Sequence, residues 1–286
     1  MPVPSQLWFE EKFEINKGRT LKIEIQSLIE QYDSEFQRIE IYQTKPFGKM
    51  LVLDGVIMTT DSDEFSYHEM IAHVPLCTHQ NPETVCVIGG GDGGTIREVL
   101  KHPSVRNVDI CEIDGDVIRL SEKHLPALAS SFSDSRVTVY TEDGADFLRN
   151  HKNKYDIIIV DSSDPIGPAE VLFSEEFYRT MKESLHDTGI AVTQSESFFY
   201  HLDIIERLNG YARRHFPVVS YYSTIVPTYP SGIIGFTFCS MKYHPIQNLD
   251  ETRTASFADS LKYYNPAIHK GAFQLPSFVQ KRLKLA

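Results

Sequence analysis

Val85-Cys-Val-Ile-Gly-Gly-Gly-Asp-Gly-Gly-Thr-Ile-Arg-Glu-Val-Leu100 decides the fold. Four apolar residues, the length of a short buried strand, run into a glycine turn, and a helical pattern follows. Gly89, Gly91 and Gly94 satisfy G-x-G-x-x-G in the strand–turn–helix setting that gives this spacing its meaning. Such a turn lets the backbone approach a nucleotide or nucleoside closely, whereas a chance glycine-rich turn lacks the setting. Asp92 then chooses between ligands. A dinucleotide would bring a pyrophosphate to this turn, where free N–H groups and the helix dipole favour anions. A carboxylate there opposes a phosphate. Asp92 argues against NAD and FAD and for a ligand that is cationic at this point, such as an adenosyl sulfonium.

On either side of this stretch the pattern divides the chain. Through about residue 65 it reads as β: Leu21–Ile25 alternates, Phe36–Tyr42 continues, and Met50–Leu53 meets Val56–Met58 across Asp54-Gly55, a hairpin signal. Beyond residue 66, apolar strands at 85–88, 108–111, 137–140, 157–160 and 190–194 alternate with helices near 94–101, 115–124, 144–150, 174–186 and 202–215. Short apolar strands separated by helices predict a parallel sheet covered on both faces. Two last strands, 218–226 and 233–240, are joined only by Pro227-Thr-Tyr-Pro-Ser-Gly232, too short for a crossover, so this pair must be antiparallel. The expectation is an α/β chain. A small antiparallel β domain (1–65) precedes a class I methyltransferase-like Rossmann domain (66–286), whose mostly parallel sheet ends in an antiparallel hairpin. The tail is expected to hold one helix near 255–262.

Acidic side chains sit where open α/β sheets bind ligands, at the carboxyl ends of strands. Glu112 closes the second strand, about 20 residues past the glycines, where a carboxylate accepts from ribose hydroxyls. Asp143-Gly144 ends the third, placed to meet an adenine edge. For both acids, a helix N-cap is the plainer alternative. Asp161 ends the strand Tyr155-Asp-Ile-Ile-Ile-Val-Asp161, and Asp164 follows in a proline- and glycine-punctuated loop. A capped turn explains one such aspartate. Asp92, Asp161 and Asp164 gathered together repel one another unless a cation occupies the gap. Tyr67 and His68 at the domain junction can hydrogen-bond an amine, as can Tyr229 in the hairpin turn, although each alone more often packs.

The 28 basic and 39 acidic side chains of the 286 residues leave a formal charge of −11, which disfavours sequence-independent nucleic-acid binding. No apolar run approaches the roughly 18 residues of a membrane span, and Met1–Glu14 lacks the features of a signal peptide. Cys77, Cys86, Cys111 and Cys239 lie far apart without zinc spacing, and no histidine pair has metal spacing. The expectation is a soluble cytoplasmic protein with no metal, no membrane and no nucleic-acid partner.

Together LVLDGVIMTTDSDEFSYHEM, VIGGGDGGTIREVLKHPSV, VDSSDPIGPAEVLF and VPTYPSGIIGF resemble the spermidine synthase (polyamine aminopropyltransferase) family, and the likeness runs from about Leu7 to KYYNPAIHKGAFQLP in the tail. It implies aminopropyl transfer from decarboxylated S-adenosylmethionine, a co-substrate, to putrescine, giving spermidine and methylthioadenosine without a cofactor. Under it, Asp161 is the catalytic acid/base. Asp92 holds the donor's ammonium, and Asp164 holds the diamine with Tyr67, His68 and Tyr229, beside Asp92 and Asp161. Gln37, Glu112, Asp143, Gly144 and Pro168, with Gly89 and Gly91, form the nucleoside pocket. A lid from Ser162 to Leu172 and a homodimer or homotetramer are also implied. Met58, His68 and Ile233-Ile234 depart from residues common in relatives. The rivals are a putrescine N-methyltransferase using intact S-adenosylmethionine, against which Asp92 speaks, and a non-catalytic nucleoside-binding protein on the same scaffold.

Overall fold

The structure, a computed structural model, describes residues 6–163 and 167–284. Five antiparallel strands come first, in the order β1 (Leu7–Glu10), β2 (Lys22–Asp33), β3 (Arg38–Thr44), β4 (Lys49–Leu53) and β5 (Val56–Thr60). The β4–β5 turn is the Asp54-Gly55 pair, with φ of 51° and 83°. Two successive positive angles give the twist that tight hairpins prefer, and Asp-Gly tolerates them. Periodicity does not find β1, whose four residues are mostly exposed.

Next come α1 (Glu64–Thr78), β6 (Thr84–Gly89), α2 (Gly94–Leu100), β7 (Asn107–Cys111), α3 (Gly115–His124), α4 (Pro126–Ala129), β8 (Val137–Tyr140), α5 (Gly144–Arg149) and β9 (Tyr155–Asp161). After β9 follow α6 (Glu175–Ser184), β10 (Leu185–Gln194), α7 (Leu202–His215), β11 (Val218–Ile225) and β12 (Ile233–Ser240). The seven-stranded sheet has the order β11-β12-β10-β9-β6-β7-β8, parallel from β10 to β8, with β12 antiparallel to both its neighbours. The expected Rossmann-like sheet with its closing hairpin is therefore present.

Alternation along the strands divides the core. Val85, Val87, Ile157, Ile159, Ile190 and Val192 face α1 and α2. Their neighbours Cys86, Ile88, Ile158, Val160 and Ala191 face the opposite way, onto α5, α6 and α7. Each fully buried valine or isoleucine among them contributes about 1.5–3 kcal/mol by leaving water. A one-residue slip in β9 would turn its whole set over, so its register is fixed firmly.

That register aligns the carboxyl ends of the strands. Gly89 pairs with Asp161, Ile88 with Cys111, and Thr193 with Val160. Consecutive strands leave β6 in opposite directions, to β7 on one side and β9 on the other, and an open α/β sheet binds ligands at such a reversal.

The tail corrects an expectation. Residues Ala255–Ser260 form a 3-10 segment broken at Phe257 (φ −133°), and two further helices follow, α8 (Pro266–Ala272) and α9 (Ser277–Leu283). Asn265 caps α8 and Pro266 opens it, a start signal outweighed at the sequence level by the shortness of the helix. Among the described residues no helix is long and apolar enough to cross a membrane.

Candidate active site

The aligned ends of β10, β9, β6, β7 and β8 border one cleft of about 350 Å³. Crossing the strand order, the acidic and amide side chains are Gln194 and Glu196, then Asp161, Asp92, Glu112 and Asp143. Four inter-strand steps at about 4.8 Å each span roughly 19 Å. Gln37, Tyr67, His68, Gly89, Gly91, Gly144 and Tyr229 line the same cleft, so every described residue proposed for the site from sequence meets in one place. Asp164 lies outside the described residues, as does the Pro168 side chain. So do residues 164–166 of the expected lid.

The glycine turn is shaped by sterics. Gly89, Gly90 and Gly93 have φ of 80°, 74° and 87°. The Gly90 N–H donates to the Asp161 carbonyl at 2.9 Å, tying the turn to the end of β9. At Gly91 a Cβ would lie 3.1 Å from the Glu112 side chain, and at Gly144 one would lie 2.4 Å from Ile88.

Asp161 is held through both oxygens. The Tyr67 hydroxyl donates to Oδ1 at 2.7 Å and the Thr95 hydroxyl to Oδ2 at 2.6 Å. Burial raises its pKa; His68 opposes the rise, Asp92 adds to it, and the two hydroxyls oppose it, leaving the net direction upward. Asp92 accepts from the Gly94 N–H at 2.7 Å and faces His68 Nε2 at 3.3 Å. The other ring nitrogen of His68 lies 2.7 Å from Glu64, which Arg97 grips with two nitrogens at 2.8 and 3.1 Å. Burial alone would lower the His68 pKa, but Asp92 and Glu64 raise it well above the ordinary value. The ring is an imidazolium with a carboxylate at each nitrogen. His68 thus lines the cleft with one ring nitrogen against Asp92.

On the other side of the glycine turn, Glu112 is pushed up to about 7 by burial, against the Asp114 and Gly91 N–H groups that stabilise its charge. Asp143 caps α5, accepting from Ala145 and Asp146 N–H at 2.8 and 2.9 Å, so the plainer alternative is realised while the residue still lines the cleft. For Glu112 that alternative is not realised, since Asp114 caps α3. Gln37 donates to Asp114 at 3.0 Å, which draws β3 onto the start of α3.

Tyr229 donates to the Met58 carbonyl at 2.8 Å, and its ring centroid lies 6.2 Å from that of Tyr67. Its turn is anchored by Asp63, which accepts from the Thr228 N–H at 2.9 Å and hydroxyl at 2.8 Å.

Sequence reading missed the β10 end of the cleft. Gln194, Glu196, Ser197, Tyr200 and His201 all line it. Glu196 has φ of 63°, an uncommon conformation for a non-glycine residue, and lies 2.8 Å from His201. Its Oε1 and the Gln194 Oε1 are buried acceptors without a hydrogen-bond partner among the described residues. The strand-end rule that selected Asp161 on β9 selects Gln194-Ser-Glu196 on β10 equally well, and that was the available signal. Thr95 was also missed. Among the described residues no lysine or arginine lines the cleft, and no cluster of His, Cys, Asp or Glu is arranged to hold a metal.

Comparison with known proteins supplies the family. The spermine/spermidine synthase domain profile matches residues 64–250, and the spermidine synthase tetramerisation domain profile matches residues 7–61. A polyamine aminopropyltransferase from Leptospira biflexa is 51% identical, covering 98% of this chain and 99% of that protein. The Dictyostelium discoideum spermidine synthase is 43% identical over 97% of this chain and 98% of its own. A solved spermidine synthase in complex with the transition-state analogue AdoDATO superimposes with a TM-score of 0.95 at 40% identity, covering 100% of this chain and 97% of that one. The Thermotoga maritima spermidine synthase gives a TM-score of 0.93 at 40% identity, covering 99% of this chain and 96% of that one. With matches along nearly its whole length, the chain belongs to the spermidine synthase family and is a polyamine aminopropyltransferase.

Proposed function

We propose that the cleft transfers the aminopropyl group of decarboxylated S-adenosylmethionine to putrescine, giving spermidine and methylthioadenosine, with no resident cofactor. The observation that carries this reading is the row of carboxylates across adjacent strand ends with no lysine or arginine among the described lining residues. Such a crevice suits two guests that both arrive positively charged. The relative bound to AdoDATO adds support. In this reading Gln37, Gly89, Gly91, Glu112, Asp143, Gly144 and Pro168 hold the nucleoside. Asp92, braced by His68, holds the donor's ammonium. Tyr67, Tyr229, Asp161 and Asp164 hold the attacking end of the diamine. The Gln194 and Glu196 oxygens, unpartnered among the described residues, accept from its far ammonium.

The step needs little beyond alignment, because the sulfonium already activates the carbon. The amine lone pair forms the C–N bond as the C–S bond breaks, and its electron pair returns to sulfur, leaving a neutral thioether. The proton lost by the nitrogen goes to Asp161 and then to water. An amine near pKa 10 yields a proton reluctantly to a carboxylate near 4, and burial that raises Asp161 narrows the gap.

The division into domains 1–65 and 66–286 is supported by the end of the first sheet at Thr60 and the start of α1 at Glu64. A homo-oligomer, either dimer or tetramer, is supported by the tetramerisation-domain match and by exposed Leu7, Trp8, Leu28 and Ile29 on β1 and β2. A reducing cytoplasm suits four free, buried cysteines.

Mass spectrometry after incubation with putrescine and either donor tests the reaction. An added aminopropyl unit from the decarboxylated donor alone is expected; an added methyl group, or no product, overturns the reading. Glu112 gives a second expectation. With its pKa at about 7, lowering the pH from 8 to 6 protonates the ribose acceptor, and calorimetry should show methylthioadenosine binding about tenfold more weakly at the lower pH. A flat profile would remove its ionisation from nucleoside binding.

A further inference from the structure

Thr95 is fully buried in the first turn of α2. Helical threonine hydroxyls often bond back to a carbonyl of the preceding turn. This one instead reaches across to the end of β9 and donates to Asp161 Oδ2 at 2.6 Å. The Asp161 backbone is fixed separately, its carbonyl bonded by Gly90. Tyr67 takes the other carboxylate oxygen at 2.7 Å. With both oxygens and the carbonyl held, the plane of the carboxylate has little freedom. We propose that Thr95 is a positioning residue for the transfer reaction: its hydroxyl fixes the orientation of the Asp161 carboxylate and keeps it ionised, so that it can accept a proton from the attacking amine.

The surroundings explain why this is needed. Asp161 faces Tyr67 and His68 from α1, with Glu64 behind His68, Asp92 from the glycine turn, Glu112 from the end of β7, and Tyr229 and Glu196 elsewhere on the cleft. Burial and Asp92 favour the neutral acid, which cannot take a proton; His68, Tyr67 and Thr95 favour the carboxylate. Tyr67 lines the cleft and is able to touch substrate, whereas Thr95 does not line it and acts only through Asp161.

This inference rests on the assignment of Asp161 as proton acceptor. Near-normal turnover in Asp161→Asn would remove that assignment, whereas the threonine variants test only the support. The full-length enzyme with Thr95→Val keeps the shape and loses the hydroxyl, and Thr95→Ser keeps the hydroxyl. Initial rates with putrescine and the decarboxylated donor are read across pH. The amine's own ionisation is common to every variant and cancels in the comparison. Losing a donor to the carboxylate raises its pKa, so the acidic limb of kcat/KM for putrescine should move up by about one pH unit in Thr95→Val, and the lost orientation should lower kcat on the plateau above that limb about tenfold. KM for the donor should be unchanged, and Thr95→Ser should stay within about twofold of the parent in each parameter. If valine does not fit, Thr95→Ala should show the same displacement. An unmoved acidic limb in a folded valine or alanine variant overturns the proposal. So does an equal displacement in the serine variant, or loss of the fold in both hydroxyl-free variants while serine folds.

Discussion

Asp161→Asn is expected to lower kcat by about a thousandfold or more while methylthioadenosine binding stays within about threefold. Asparagine has nearly the same shape, and the Tyr67 hydroxyl can still donate to its amide oxygen, so the end of β9 and the glycine turn bonded to it should keep their geometry. What is lost, on the proposed reading, is the described carboxylate that stands at the attacking nitrogen to accept its proton. Asp92 does not substitute, because its carboxylate is shared between the Gly94 N–H and the imidazolium of His68. The measurement pairs single-turnover product formation with calorimetric titration of the nucleoside product. Turnover close to the parent's would take Asp161 out of the mechanism. A large loss of nucleoside affinity would mean that the substitution had disturbed the glycine turn.

Gly89→Ala is expected to be the most damaging single-methyl change in the cleft. Gly89 has φ of 80°, and a Cβ there would lie 2.2 Å from the Asp161 carbonyl oxygen, 2.9 Å from its carbon and 3.3 Å from the Ser162 Cα. The left-handed conformation alone costs a non-glycine residue about 1–2 kcal/mol. The clash is with backbone, which cannot swing aside as a side-chain tip can, so β6 and β9 must separate where they carry the site. A total loss of roughly 3 kcal/mol corresponds to a fall in Tm of about 6–12 °C for a chain of this size. Activity should fall further, since Asp161 is the residue pushed. Gly210→Ala provides the control: inside α7 with nothing within 4 Å of the added Cβ, it should stabilise by about 0.5–1 kcal/mol. Scanning calorimetry reads both. A Gly89→Ala melting point within a degree of the parent's would contradict the steric account.

Much of this architecture was legible because it follows from short-range rules. Continuous apolar runs marked β6 through β10, Asp54-Gly55 marked a hairpin, and Pro227–Gly232 was too short for anything but an antiparallel return. Strand-end position brought Asp92, Glu112, Asp143 and Asp161 into one cleft. The rest depends on separations that a local pattern does not encode. Thr95 reads as an ordinary helix residue until β9 lies beside it. His201 acquires its role only when Glu196 on one side and Glu14, from a distant part of the chain, close on its two nitrogens. The brace behind His68 likewise needs α1 and α2 side by side before Arg97 can reach Glu64. In the tail, α8 and α9 are only seven residues each and draw their stability from contact with the sheet and α7 rather than from intrinsic propensity.

The pairing of Gly89 with Asp161 has an evolutionary corollary. Under the proposed function it is the seam between two workshops: the tools for one reactant stand at the ends of β6, β7 and β8, most of those for the other at the ends of β9 and β10. On the proposed reading, a longer or shorter amine would call for retooling around Gln194, Glu196 and the start of α7, leaving the adenosyl grip untouched. A lineage can therefore diversify its polyamines by drift on one bench without reinventing the other.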